Sequence, residues 1–394
     1  MNVGRMLHHL IPFYDHNVEK WSFEARLLRW LTFLWLLVGL MILFSASYPV
    51  AIHNTGDGWY VFKRQFIWIC LALIGSKLIY RTSIRRILQF SPYIYGVILA
   101  LVLATILGFG QEVNGAERWL SLGPVQIQPS ELLKPFMILQ GAYVFGTWDR
   151  KTWWFKGAWL LIFGLSLLAI LLQPNLSTTA LCGMTFWLIA LAAGVPIIQL
   201  LGVAILGMLG AVVSVSSNSY QMRRITSFRN PWADAGDSGY QLVQSLLAVG
   251  SGQIWGLGFG MSQQKLFYLP FQDTDFIFAV FAEEFGFVGA IALLLFLGVY
   301  ATIALVVVLK SSHPINKLIA LGVMTILIGQ SLINVGVAIG ALPTTGVPFP
   351  MLSYGGSSVI SSILLAALLI RVAIEVEPES EIISSYNQEL SPEN

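Results

Sequence analysis

Charge is what this chain lacks most. Only 11% of its residues are Asp, Glu, Lys or Arg, against roughly 25% in an ordinary soluble domain. So few charges cannot cover the surface of a soluble protein of 394 residues, and 56% of the chain is hydrophobic. Composition alone therefore indicates an integral membrane protein. Cysteine is nearly missing too. Cys70 and Cys182 both lie in apolar runs, which argues against a disulfide framework or a thiolate metal site and for small buried apolar residues. A net charge of +2, with no helix-turn-helix or zinc-finger spacing, gives no sign of a nucleic-acid partner. A cleavable leader is not expected, because residues 1–29 are polar and mixed and the first apolar run is long enough to span.

Long apolar runs are present in abundance. A bilayer core takes about 20 apolar residues per helix. That rule marks spans at 30–48, 62–80, 88–109, 131–148, 155–173, 178–195, 197–216, 285–309, 315–340 and 357–374. The fold class expected is an all-α, polytopic membrane protein of about ten transmembrane helices. No internal repeat supports an inverted-repeat transporter. With the N-terminus inside, 14 of the 22 basic residues fall on the cytoplasmic side, as the positive-inside rule asks. The organisation is then a cytoplasmic tail (1–29), a membrane domain (30–374) with a large extracytoplasmic loop (217–284) between spans seven and eight, and a tail from 375 to 394. That last segment has six Glu and no Lys or Arg, so it reads as disordered and solvated.

Three outer segments concentrate the polar residues. The stretch LPFQDTDFIFAVFAEEFG (269–286) gathers Asp273, Asp275, Glu283 and Glu284 with no base. A single helix from Phe276 to Lys310 would run roughly 50 Å, too long for a core of about 30 Å. Either it projects well beyond the bilayer, or 271–284 forms a separate short helix; in both cases the Glu pair belongs at the outer membrane boundary. Glu283 and Glu284 fit a cavity-facing pair or a solvated helix start. Asp275 fits a helix N-cap or a general base at the mouth of a cavity.

The same long loop carries Arg223, Arg224 and Arg229, the run VGSGQIWGLGFG, and Lys265. Arginines favour phosphates; the glycines fit a weak phosphate loop or a tight packing turn. Loop 110–130 brings Arg118 and Trp119, followed by Glu131 and Lys134, which are spaced for an ion pair within one helix. Gln330 and Asn334 share a face of span nine, as substrate contacts or as interhelical glue. Loop 341–356, ALPTTGVPFPMLSYGG, holds Pro343, Pro348 and Pro350 together with Ser353 and Tyr354. It opposes a regular helix and, if it dips into the membrane, must line a cavity or be buried in protein. A polar outer face of this kind suits an amphiphilic anionic substrate such as a lipid-linked phosphate.

The blocks NGAERWLSLGPVQIQPSELLK, RRITSFRNPW, GYQLVQSLLAVGSG, QKLFYLP, TDFIFAVFAEEFGFVGA and LPTTGVPFPMLSYGGSS, in this order, resemble the signatures of the SEDS family (shape, elongation, division and sporulation). FRNPWADAGDSGYQLVQSL and SQQKLFYLP are closer to its division members than to its elongation members. The resemblance implies a ten-helix peptidoglycan glycosyltransferase that polymerises lipid II at the outer face of the membrane, inverting the anomeric centre. It implies a class B penicillin-binding protein and other divisome membrane proteins as partners. Asp275, in the TDF motif, would be the catalytic base. Substrate contacts would come from Arg118, Lys134, Arg223, Arg224, Lys265, Glu283, Glu284, Gln330, Asn334, Ser353 and Tyr354. A divalent cation, magnesium or manganese, would assist, with no organic cofactor. A lipid II flippase and a non-catalytic division scaffold are the competing readings. The chain departs from the family pattern at Phe271, where a Glu is usual, at Asp273, where His is frequent, and in QPNLS (173–177), where QPDLG is usual.

Overall fold

The computed structural model describes residue 18 and residues 21–376 apart from 114, 115 and 124. Most of the expected N-terminal tail, and the acidic tail beyond 376, lie outside the described residues. Among the described residues twelve α-helices make up the bulk of the structure. They are α1 (Phe23–Thr55), α2 (Tyr60–Arg81), α3 (Ile84–Ala104), α4 (Pro129–Gly146), α5 (Trp153–Leu172), α6 (Leu176–Ala192), α7 (Ile197–Ser217), α8 (Ser219–Arg229), α9 (Tyr240–Ser251), α10 (Ile277–Lys310), α11 (Pro314–Ala338) and α12 (Gly356–Ile374). Each of the ten expected spans coincides with a helix. Seven of these helices, α1, α3, α5, α7, α10, α11 and α12, are long and apolar enough to cross a membrane. The other three are α2, α4, which carries Glu131 and Lys134, and α6, which is apolar but 17 residues long.

The helix ends follow local chemistry. Ser22 caps α1, its Oγ accepting from Ala25 N at 3.2 Å and donating to Ala373 O at 2.8 Å, so the start of α1 is stitched to the end of α12. Asn175, in the divergent QPNLS stretch, caps α6 by accepting from Thr178 N at 3.3 Å. The core is built around α1, α4, α11 and α12. Trp35 on α1 meets Phe296 and Tyr300 of α10 edge-on, with centroids 5.7 and 5.2 Å away.

Two loops hold regular elements that the sequence reading did not mark. Between α3 and α4 the chain forms a three-stranded antiparallel sheet, β1 (Gln111–Val113), β2 (Ala116–Leu122) and β3 (Val125–Ile127), in the order β1-β2-β3. The segments are too short for an alternating pattern to stand out, and the turn between β2 and β3 sits on Gly123 at φ 63°. The large loop after α7 is not irregular throughout: it holds α8, a 3-10 turn (Pro231–Asp234) and α9.

The overlong helix is resolved by a break. Gly286 has φ 66° and ψ −166° within α10, a conformation open to glycine and costly to other residues. The segment from 277 to 285 is thereby separate from 287–310, which at 1.5 Å per residue runs about 36 Å, a plausible bilayer crossing. Four main-chain hydrogen bonds tie the two sides of the break to the glycine run. Leu257 N and Gly258 N donate to the carbonyls of Glu283 and Glu284, both at 3.0 Å. Phe287 N and Val288 N donate to the carbonyls of Gln253 and Ile254, at 2.9 and 3.1 Å. The run VGSGQIWGLGFG is thus a packing turn that closes a broken helix. In a low-dielectric setting each such group left bare would cost several kcal/mol, roughly.

Candidate active site

Loop 341–356 forms no regular helix and is buried in protein rather than laid on the surface. Val347, Phe349, Met351, Leu352 and Ser353 are all buried. Its backbone presses on α1 at Gly39, where a Cβ would lie 2.1 Å from Met351 O. Gln65 of α2 holds it from another side, Nε2 donating to Ser353 O at 3.1 Å and Oε1 accepting from Gly355 N at 3.2 Å. From α11, Gln330 Nε2 donates to Pro348 O at 2.7 Å and Asn334 Nδ2 to Val347 O at 2.9 Å.

This loop in turn fixes the segment 273–275. The three successive carbonyls are each captured: Asp273 O by Tyr354 N at 2.8 Å, Thr274 O by Ser353 Oγ at 2.5 Å, and Asp275 O by Asn334 Nδ2 at 2.8 Å. Phe271 makes the preceding turn at φ 57°, and its carbonyl accepts from Thr274 N and Phe276 N. The residue that departs from the family pattern is therefore a backbone pivot for the acidic segment.

With its main chain clamped, Asp275 keeps a free carboxylate. Among the described residues no side chain or N–H hydrogen-bonds to it. Arg224 is its neighbour across Gly346: a Cβ built there would be 3.5 Å from Asp275 Oδ2 and 3.7 Å from Arg224 Nη1. Burial raises the Asp275 carboxyl above the usual carboxylate range, while the charges of Arg224 and Arg118 pull it back. Burial, with the charge of Asp275 adding to it, pushes Asp273 up to about 6. The two arginines are held rigidly. Arg118 on β2 donates from Nε to Gln173 O at 2.8 Å and from Nη2 to Pro174 O at 2.6 Å. Arg224 on α8 donates to Thr344 O at 3.1 Å and to Tyr220 Oη at 2.5 Å, and stacks over the Tyr220 ring at 4.5 Å.

The structure reassigns most of the other candidates to internal bracing. Lys134 is 1% exposed; it pairs with Glu131 at 2.5 Å and donates to Gln330 Oε1 at 3.0 Å. The intrahelical pair is thus the first link of a chain from α4 through α11 to the loop, because a buried ammonium must be paired. Lys265 pairs with Glu284 at 2.6 Å and donates to Ser45 Oγ at 2.8 Å. Glu283 accepts from Ser262 Oγ at 2.5 Å, Gln263 N at 3.0 Å and Ser251 Oγ at 3.2 Å. Glu283 and Glu284 are each 1% exposed, so neither is a solvated helix start and neither is open to a ligand. Gln330, Asn334 and Ser353 spend their polar groups on the loop and on 273–275, as positioning residues. Arg223 is exposed, and no hydrogen bond of its guanidinium occurs among the described residues. Tyr354 is half-buried, its phenol raised by burial and lying within electrostatic reach of Arg64 and Asp273. The sequence reading missed Gln65, Ser45 and Tyr220. Only Tyr220 left a signal, sitting four residues before Arg224 on one helix face.

Fold and site together define a polytopic helical membrane protein with an unpaired carboxylate beside Arg224 and within electrostatic reach of Arg118. The chain belongs to the FtsW, RodA and SpoVE family of cell cycle proteins, whose family model matches residues 25–377. It is 53% identical over 383 residues to the probable peptidoglycan glycosyltransferase FtsW of Synechocystis sp., covering 97% of each chain. Among solved structures it is similar to a chain of a peptidoglycan synthase complex that coordinates polymerization and crosslinking, with TM-score 0.68, 28% identity, and coverage of 86% of this chain and 97% of that one. It is also similar to the rod shape determining protein RodA of Thermus thermophilus, with TM-score 0.60, 28% identity, and coverage of 88% and 98%.

Proposed function

We propose that this chain is a peptidoglycan glycosyltransferase of the division type, polymerising lipid II with Asp275 as general base. The observation that carries the catalytic assignment is the carboxylate of Asp275: its backbone is pinned, its oxygens are unpartnered, and two fixed guanidinium groups lie nearby. A base must be within hydrogen-bond reach of the proton it takes, and it works best when its pKa is lifted toward the working pH. Asp275 would take the proton of the acceptor sugar 4-hydroxyl. That oxygen attacks the anomeric carbon of the donor from the opposite face, and the lipid diphosphate leaves with the bonding pair. Arg224 and Arg118 are placed to stabilise the charge that develops on the diphosphate. Glu283, Glu284 and Lys265 hold the loop that carries Asp275.

A divalent cation, magnesium or manganese, belongs to the same proposal. Among the described residues no three His, Cys, Asp or Glu side chains come together as a cage. The carboxylate of Asp273 fits the mode in which one or two acids and the substrate phosphates share the ion, which leaves Asp275 free as the base. When bound, it would supply charge neutralisation at the leaving group. Both termini are assigned to the cytoplasm from the charge bias of the loops, with the site at the outer face. A class B penicillin-binding protein is the partner proposed, by analogy with the matched synthase complex.

Purified chain with its transpeptidase partner, lipid II and magnesium should form glycan strands. Asp275→Asn should lower the initial rate by about 10²–10⁴-fold, the usual contribution of a positioned base, while the thermal unfolding profile stays unchanged. Equal rates for the two proteins would remove Asp275 from the mechanism. A flippase or scaffold would tolerate this change.

A further inference from the structure

A cavity of about 1000 Å³ lies away from Asp275, among the opposite ends of the helices. It sits where α3 begins, α10 ends, α11 begins and α12 ends. The walls are mostly apolar, with Gln89 and Gln140 among them. Leu88 and Pro92 from α3 face Phe155 and Trp159 from α5, with Ile315 and Val372 closing the side toward the core. Both pairs are spaced four residues apart, one turn along their helices, so each presents a continuous strip. The volume is at the upper end of small-molecule sites.

The rim carries an excess of positive charge. Arg85 lines the cavity, is exposed, and makes no hydrogen bond or ion pair among the described residues. Lys151 lies over two of the lining rings, its Nζ 5.2 Å from the centroid of Tyr143 and 4.8 Å from that of Phe155. It also donates to Tyr143 Oη at 3.2 Å. His313 adds a ring nitrogen able to donate a hydrogen bond. The lining carboxylate is Glu375, and it is already spoken for. It pairs with Arg371 at 2.8 Å and accepts from Ile84 N at 3.1 Å and from Asn316 Nδ2 at 2.9 Å.

We propose that this cavity binds one anionic phospholipid from the leaflet on its own side, acyl carbons along the Leu88–Trp159 strip and phosphate between Arg85 and Lys151. An apolar slot between membrane helices with a cationic rim is the chemistry that selects acidic headgroups. A free phosphate would satisfy the rim and leave the strip uncovered. The occupant is therefore a lipid, and it wedges α5 against α3 and α11, elements that otherwise touch little. The reading does not depend on the reaction at Asp275.

Native mass spectrometry of the full chain in detergent, titrated with phosphatidylglycerol or phosphatidylcholine, tests this. Wild type should retain one phosphatidylglycerol in preference to phosphatidylcholine. Arg85→Gln combined with Lys151→Gln should weaken that retention about thirtyfold, from roughly 1 kcal/mol for each basic residue removed, with an unchanged unfolding midpoint. Leu88→Trp, which fills the slot, should abolish retention of both lipids. Equal retention of the two lipids, an unaffected double variant, or displacement of phosphatidylglycerol by millimolar inorganic phosphate would each overturn the proposal. Should Leu88→Trp fail to fold, the charge variant still decides.

Discussion

Helices α7 and α12 are almost equally apolar, with mean hydropathy of 2.3 and 2.2 over their most apolar windows. Yet 6% of that window is buried in α7 and 78% in α12. Leu200 is the one buried residue of α7, which packs against α6 and α8. α12 packs against α1, α2, α4 and α11, and buries Ser357, Ser358, Ser361 and Ser362. Lipid tails solvate an apolar helix as well as another helix does, so hydropathy cannot say which neighbour it will have. Small residues do not separate them either, since α7 carries Gly202, Gly207 and Gly210; what separates the two is how many helices pack around each, two at α7 and at least four at α12. The bracing of the site belongs to the α12 side of this divide; the α7 side is a hydrophobic perimeter.

That contrast can be broken most forcibly at the buried pair. Lys265→Met would strand Glu284 without its cation, and breaking such a pair costs about 3–5 kcal/mol. The unfolding midpoint in detergent should fall, and the combination with Glu284→Gln should recover much of the loss. If the single variant is as stable as wild type, the brace is dispensable. Next in size is a matched insertion of bulk. Ala366→Trp on α12 should cost about 1–3 kcal/mol by overpacking. Val212→Trp on the exposed side of α7 should stay within about 0.5 kcal/mol. Similar shifts in thermal unfolding for both would erase the distinction between the helices.

Arg224 sharpens the site half of the comparison without disturbing the fold. A base must be ionised, so polymerisation falls as pH drops through the raised pKa of Asp275. Arg224 favours the charged form, so Arg224→Gln raises that pKa further. The acid limb of the rate profile should move to higher pH, and an unmoved limb would detach Arg224 from the base. The smallest effect is expected at Phe271. Its left-handed backbone disfavours a side chain by an amount glycine relieves, so Phe271→Gly should stabilise by up to about 1 kcal/mol with little change in rate. A large loss of activity would show instead that its ring shapes the site.

Much of the architecture was legible because long apolar runs are the strongest signal a sequence carries. The expected spans and the helices agree to within a few residues at most ends. The length of the run after Phe276 also foretold that something must interrupt it. One of the two readings, a separate short helix at 271–284, places the break within two residues of Gly286; what did not show is its partner, some 30 residues upstream in the glycine run. The site was half legible. Asp275 stood out by motif and by its place before a long helix. The Glu131–Lys134 pair was legible from its spacing, but the roles of Gln330 and Asn334 were not, because a polar residue in an apolar helix looks the same whether it meets a ligand or a loop carbonyl. Only the fold of 341–356, which has no periodicity to read, decides between them.

Four hydrogen bonds that cross the joint at Gly286 run between main-chain groups, and this has a consequence for how the sequence can drift. Hydrogen bonds between peptide groups are blind to side-chain identity, so Gln253, Ile254 and Leu257 can be exchanged over generations without loosening it. Gly252, Gly256 and Gly286 cannot, since a Cβ at each would fall 2.1, 2.2 and 2.3 Å from a backbone atom. Three unchanging letters in freely varying text would be the only record that descendants of this chain keep of the splice.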